Sequence, residues 1–160
     1  PALAGRAAVV TTCATAAALL ISLPTPAVSE PPTTPVQTTV VPVAATSVAS
    51  TAVNYALSKI GSPYQWGAAG PSAFDCSGLV YWAYRQAGKV LPRTSRAQAT
   101  VGTPVAKSDL RPGDLVFYYQ PISHVGIYIG NGKIVHASTY GTPVKVADVN
   151  SMPFTTARRV

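Results

Sequence analysis

The stretch from His124 to Ser138 constrains this chain more than any other, because it reads as a β-hairpin closed by Gly130-Asn131-Gly132. Val, Ile and Tyr crowd both arms, and a Gly-Asn-Gly turn supplies the positive-φ positions that tight hairpins need. Two registers are open. A two-residue Asn131-Gly132 loop pairs Ile127 with His136 and Val125 with Ser138, mixing polar and apolar residues on each face. A three-residue loop, with Gly132 as the bulge, pairs Ile129 with Lys133 and Ile127 with Val135. That register gathers Val125, Ile127, Ile129, Val135 and Ala137 on one wholly apolar face. The opposite face then carries His124, Gly126, Tyr128, Ile134, His136 and Ser138.

Upstream the periodicity is helical. Val53, Ala56, Leu57 and Ile60 fall at i, i+3, i+4 and i+7, with Gly61 placed to end the helix. Asp75 can cap a second helix from Cys76 to Ala87, stopped by Gly88, with Leu79, Val80, Ala83, Tyr84 and Ala87 as its apolar face. Further strands are expected at Leu115–Tyr118, Val144–Val146 and Ala157–Val160. Helices first and strands later predict an α+β domain with helices packed on an antiparallel sheet over 51–160.

The segments before it differ in kind. Residues 7–23 are a run of 17 apolar or small residues after Arg6, slightly short for a membrane span of about 20 residues. With Thr25-Pro26-Ala27 as a cleavage site, 1–27 reads as a secretory signal or, alternatively, a membrane anchor. Residue 1 is Pro, so a start further upstream is expected. Residues 28–50 read as a Pro/Thr-rich disordered linker. Export and a cell-wall location follow as expectations. Residues 51–160 carry a net charge of +7. The basic residues stand singly, apart from Arg158-Arg159, so no nucleic-acid stripe is formed. A wall dense in carboxylates and phosphodiesters is one anionic partner such a surface suits, and a basic surface that serves solubility alone is the alternative.

Cys76 would stand at the first position of the second helix, where free N–H groups and the helix dipole favour a thiolate, the reactive form of the side chain. A lone Cys is more often an inert buried residue; a reactive one needs a base. His124 and His136 are the only histidines. In the apolar-face register they are diagonal neighbours, about 5–7 Å apart, close enough for one ring to orient the other. An imidazole that accepts a thiol proton works better when its second nitrogen is held. The competing reading is two sheet histidines satisfied by backbone. Cys13 sits in the apolar leader, so no disulfide with Cys76 is expected. A Cys-His-His zinc site lacks a fourth ligand. No metal or cofactor is expected.

Asp75-Cys76-Ser77-Gly78-Leu79-Val80, Ser123-His124-Val125-Gly126-Ile127-Tyr128 and Ile134-Val135-His136-Ala137 resemble three motifs of the NlpC/p-sixty cell-wall peptidases. Pro63-Tyr64-Gln65-Trp66-Gly67, Leu91-Pro92-Arg93-Thr94-Ser95 and Leu110-Arg111-Pro112-Gly113-Asp114-Leu115 resemble further family motifs in the same order. The pattern is similar to that of the mycobacterial Rip-type endopeptidases. The resemblance implies a papain-like fold and a Cys-His-His triad at Cys76, His124 and His136. It implies cleavage of peptidoglycan stem peptides between D-γ-glutamate and meso-diaminopimelate. Tyr64 would then assist the oxyanion, or pack beside Trp66. Asp75 and Ser77 would contact substrate, a role compatible with Asp75 as helix cap, and Arg93 and Ser95 would line the cleft or serve the loop alone. Peptidoglycan is the expected partner, other wall hydrolases are candidates, and a monomer is expected. The rivals are an amidase or acyltransferase on the same core and a non-catalytic wall-binding module.

Overall fold

The computed structural model describes residues 47–160, so the expected leader and most of the expected linker lie outside the described residues. Helix α1 spans Val48–Leu57, with Ser47 as its cap accepting a hydrogen bond from the Ser50 N–H at 3.2 Å. Residues 48–50, assigned from sequence to the linker, are therefore helical. The reason is local: a Ser cap starts the helix, and the last proline before it is Pro42. Ala52, Val53 and Ala56 are buried, but Ile60 is 50% exposed. The helix stops at Leu57 and the chain turns away through Gly61, at φ +90°, so Ile60 leaves the apolar face expected of it.

Helix α2 spans Cys76–Gln86 and begins and ends where its signals predict, with Asp75 as cap and Gly88 in the left-handed region at φ +85°. Leu79, Val80, Ala83 and Tyr84 are wholly buried. Between the helices, the loop backbone crosses close over the start of α2. A Cβ on Gly78 would stand 2.0 Å from the Ala68 carbonyl oxygen, so only glycine fits there.

Short helix α3 (Ser95–Gln98), strand β1 (Thr103–Pro104) and a 3₁₀ turn at Lys107–Asp109 follow. Each is too short to leave a periodic signal. The sheet is completed by β2 (Leu115–Tyr118), β3 (His124–Gly130), β4 (Lys133–His136), β5 (Lys145–Asp148) and β6 (Phe154–Arg159). All pairings are antiparallel, in the order β1-β6-β2-β3-β4-β5. The α+β expectation holds.

The β3–β4 hairpin combines the two registers. Its loop is the two-residue Asn131-Gly132, with φ of +52° and +70°, and Gly130 pairs with Lys133. A bulge at Ile129 then shifts the register, so that Tyr128 faces Ile134 and Ile127 faces Val135. The bulge therefore lies on β3, not at Gly132, and the expected Ile129–Lys133 pair does not form. The apolar face forms as expected. Val125, Ile127, Val135 and Ala137 join Leu115 and Phe117 against the helices, with Ile129 packed at the edge. The reverse face also has a small core, of Val116, Tyr118, Ile134 and Val149, which explains why every residue of β2 is buried.

Candidate active site

The cap of α2 is the anchor of the site. Asp75 Oδ1 accepts from the Gly78 N–H at 2.6 Å, and Oδ2 accepts from the Gly67 N–H at 2.9 Å. The Arg93 guanidinium closes on the same carboxylate as a fork, at 3.0 Å to Oδ1 and 2.6 Å to Oδ2. Arg93 also donates to Ser77 Oγ at 3.0 Å and to the Ala68 carbonyl at 3.2 Å. One carboxylate thus ties together the loop before α2, the first turn of α2 and the loop before α3. Its lone pairs are committed to protein donors, which makes capping and bracing its structural work.

Sequence reasoning missed a second brace. Gln98 is wholly buried, and its Nε2 donates to the carbonyls of Ser77 at 3.0 Å and Pro92 at 2.9 Å. Nothing in a single Gln signals such a bond across 21 residues.

Cys76 lies at the first helical position, half-buried, with Sγ 4.0 Å from the Ser123 carbonyl oxygen. Burial, then the Asp75 carboxylate, push its thiol up from the ordinary value. The backbone N–H groups of Ser77, Val125 and Cys76 pull the other way but are outweighed. The helix-dipole expectation of a lowered thiol pKa is therefore corrected: desolvation and a neighbouring anion dominate. At rest near neutral pH the sulfur carries its proton.

His124 begins β3, the residue after Ser123. Its Nε2 lies 2.8 Å from His136 Nδ1, with the rings nearly perpendicular and their centroids 5.1 Å apart. The spacing matches the diagonal-neighbour expectation. Both histidines are buried, and both are held neutral, with pKa values lowered to about 4. Burial is the main cause for each, followed by His136 for His124 and by Lys145 for His136. His136 Nε2 is buried without a hydrogen-bond partner.

A cleft of about 380 Å³ opens over the sulfur. Asp75, Cys76, Ser77, Arg93 and Ser95 line it, as expected from sequence, together with Trp66 and Ser123, which were not singled out. The two histidines are not among its lining residues. Tyr64 is half-buried and packs edge-on against Tyr140, with centroids 5.2 Å apart, rather than beside Trp66, which is 76% exposed. Burial and the charges of Cys76 and Asp75 push the Tyr64 phenol up, so it stays a hydroxyl donor. Among the described residues, no group of three or more His, Cys, Asp or Glu side chains converges as a metal site would require. Chemically, the arrangement offers a thiol on the wall of an open cleft and, at the start of β3 and the end of β4, a neutral, mutually oriented imidazole pair.

Comparison with known proteins gives one family. The model of the NlpC/P60 family matches residues 61–158. A probable endopeptidase of Corynebacterium glutamicum, Cgl2188, is 55% identical over 115 residues, covering 72% of this chain and 55% of that protein. The chain thus spans about half the length of that curated relative. Among solved structures, the NlpC/p60 domain of the peptidoglycan hydrolase SagA superposes with a TM-score of 0.66 at 35% identity, over 70% of this chain and 98% of that one. The peptidoglycan hydrolase RipB from Mycobacterium tuberculosis gives a TM-score of 0.65 at 31% identity, over 70% of this chain and 64% of that one.

Proposed function

Because this chain belongs to the NlpC/P60 family, we propose that it is a cysteine peptidase that hydrolyses the stem peptides of peptidoglycan, by a Cys76-His124-His136 triad. The observation that carries the reading is Cys76 lining the cleft with its Sγ 4.0 Å from the carbonyl oxygen of Ser123, the residue before His124, whose ring is paired with His136 at 2.8 Å. Relatives named as probable endopeptidase and peptidoglycan hydrolase support the substrate class.

The mechanism follows from where protons can sit. The His124 Nε2 is engaged by His136, which leaves Nδ1 to meet the thiol. For Nδ1 to accept, Nε2 must carry the proton and donate it to His136 Nδ1. His136 then holds its own proton on Nε2. His124 takes the Cys76 proton as the sulfur attacks the scissile carbonyl, and the backbone N–H of Cys76, free within the helix, meets the developing oxyanion with Tyr64. His124 returns its proton to the leaving amine. Water, deprotonated by His124, then releases the acyl group from sulfur. The bond we assign is D-γ-glutamyl–meso-diaminopimelate, in an enzyme exported to the wall and acting as a monomer, with other wall hydrolases as candidate partners.

The test is digestion of purified sacculi with the full chain, followed by mass spectrometry of the fragments. A new free amine on diaminopimelate is expected, and the Cys76→Ala protein, folded by circular dichroism, should release none. Fragments with no new amine would favour the acyltransferase alternative. Binding without any cleavage would leave a wall-binding module.

A further inference from the structure

The segment 137–144, between β4 and β5, follows directly on His136. Thr139 and Thr142 face each other across a turn, with the Thr142 N–H donating to the Thr139 carbonyl at 3.0 Å. Tyr140 stands at the first corner of this turn and Gly141 at the second, with the positive φ of +76° that a type II turn requires. Nothing in the turn itself calls for a large ring at position 140. Core burial does not account for it either, because Tyr140 is 68% exposed. What the ring touches is Tyr64, edge-on, with centroids 5.2 Å apart and planes at 74°. The two loops are also laced through their backbones. Gly61 donates to the Val144 carbonyl at 2.9 Å, and Val144 donates to the Ser62 carbonyl at 2.8 Å. Towards α2, Gln65 donates to the Phe74 carbonyl at 3.0 Å, and Phe74 donates to the Pro63 carbonyl at 3.1 Å. The main chain around Tyr64 is thus fixed, which leaves the side-chain torsions to aim its phenol. Its ring packs on the main core and on Tyr140. Among the described residues no hydrogen bond directs the hydroxyl, so these ring contacts do.

We propose that Tyr140 is a positioning residue of the reaction, whose ring holds the Tyr64 phenol in the direction from which its hydroxyl meets the oxyanion. The proposal rests on the endopeptidase reading above, with Tyr64 as a donor to the oxyanion. Neither tyrosine is among the residues lining the large cleft, but the charges of Cys76 and Asp75 are felt at the Tyr64 phenol, which puts the hydroxyl near the sulfur. Tyr140 therefore acts on Tyr64 and not on substrate. Edge-on aromatic pairs attract beyond their buried area, so the contact favours one ring direction over its neighbours. A donor aimed in advance needs no reorganisation when charge develops on the carbonyl oxygen. One short segment then serves two groups of the site. Its start, at His136, orients the base, and its turn, at Tyr140, orients the donor.

The test measures kcat and KM of the full chain on a glycan-free stem tetrapeptide. Tyr64→Phe removes the donor and should lower kcat by about 10²-fold. Tyr140→Ala should lower kcat by about fivefold or more, as a misaimed group does, with KM within about twofold of wild type. Tyr140→Phe keeps the ring and should hold kcat within about twofold of wild type. In the Tyr64→Phe background, Tyr140→Ala should lower kcat by less than about twofold more, because the hydroxyl it served is gone. A loop loosened in general would slow that background as well. Tyr140 is exposed, so the melting temperature of Tyr140→Ala should stay near that of wild type. Four results would each overturn the proposal while Tyr64→Phe is impaired: wild-type kcat in Tyr140→Ala, a raised KM at unchanged kcat, a loss in Tyr140→Phe equal to that in Tyr140→Ala, or full additivity in the double variant. Wild-type kcat in Tyr64→Phe would remove the oxyanion role of Tyr64 and the proposal together. A wild type that leaves the tetrapeptide uncut would remove the endopeptidase reading itself, and the proposal with it.

Discussion

Burial of the hydrogen-bonded His124–His136 pair, with His136 as a second influence on His124, sets the acid limit of the proposed reaction. An imidazolium at His124 would be held by a neutral imidazole, not by a carboxylate, which agrees with a pKa lowered to about 4. The base is thus unprotonated well below neutrality, and kcat/KM on a stem tetrapeptide should stay near its pH 7 value down to pH 5. An acid limb centred near 6.5, the ordinary histidine value, would contradict the buried pair. Replacing His136 by Asp puts an anion beside His124, so the limb should move upward by at least one pH unit. His136→Ala should lower kcat by about 10²-fold or more, since the general base loses its orientation. At this scale the pairing of His124 with His136 and the place of Cys76 at a helix start were legible in the sequence. The direction of the thiol shift was not, because a helix start announces its dipole whereas burial and the position of the Asp75 charge depend on the folded loop.

Elements matter chiefly through the turn that presents Cys76. Gly78→Ala would drive a Cβ to 2.0 Å from the Ala68 carbonyl, which is backbone and cannot rotate away. The loop must shift, at a cost of about 1–3 kcal/mol typical of overpacking, readable as a lower urea midpoint. Activity should fall further than stability, because the same loop carries Tyr64 and the rim of the cleft. Arg93→Lys keeps the charge but loses the fork on Asp75, so a drop in activity with near-normal folding is expected. The caps, the stop at Gly88 and the apolar hairpin face were legible because each depends on neighbours in sequence. The bulge at Ile129 was not, since it reconciles a tight Asn131-Gly132 turn with burial decided by the whole sheet. Gln98 and the short elements α3 and β1 share that limitation: their partners lie far along the chain.

For the molecule as a whole, the buried pair also ties stability to pH. Each histidine has a folded pKa of about 4, below its unfolded value of 6.5, so the unfolded chain binds protons first as pH falls. Stability should therefore be full above about pH 6.5 and decline steadily from there towards pH 4, where the folded form begins to protonate as well. Urea midpoints measured at pH 7 and pH 5 should show this decline, and it should shrink in a His124→Ala, His136→Ala double variant. The fold class was legible across the domain, since a helical period gives way to a strand period midway along it. The covered reverse face of the sheet was not, because the residues that cover it, such as Val149 and Phe154, follow the hairpin in a stretch without clear period. The most direct test of the whole account is rapid acid quenching of the full chain with a stem tetrapeptide, followed by mass mapping of the protein. We expect a transient adduct of the D-glutamyl fragment on Cys76 alone, absent from Cys76→Ser or slowed in His124→Ala. Turnover with no adduct on sulfur, or an adduct on another residue, would contradict it.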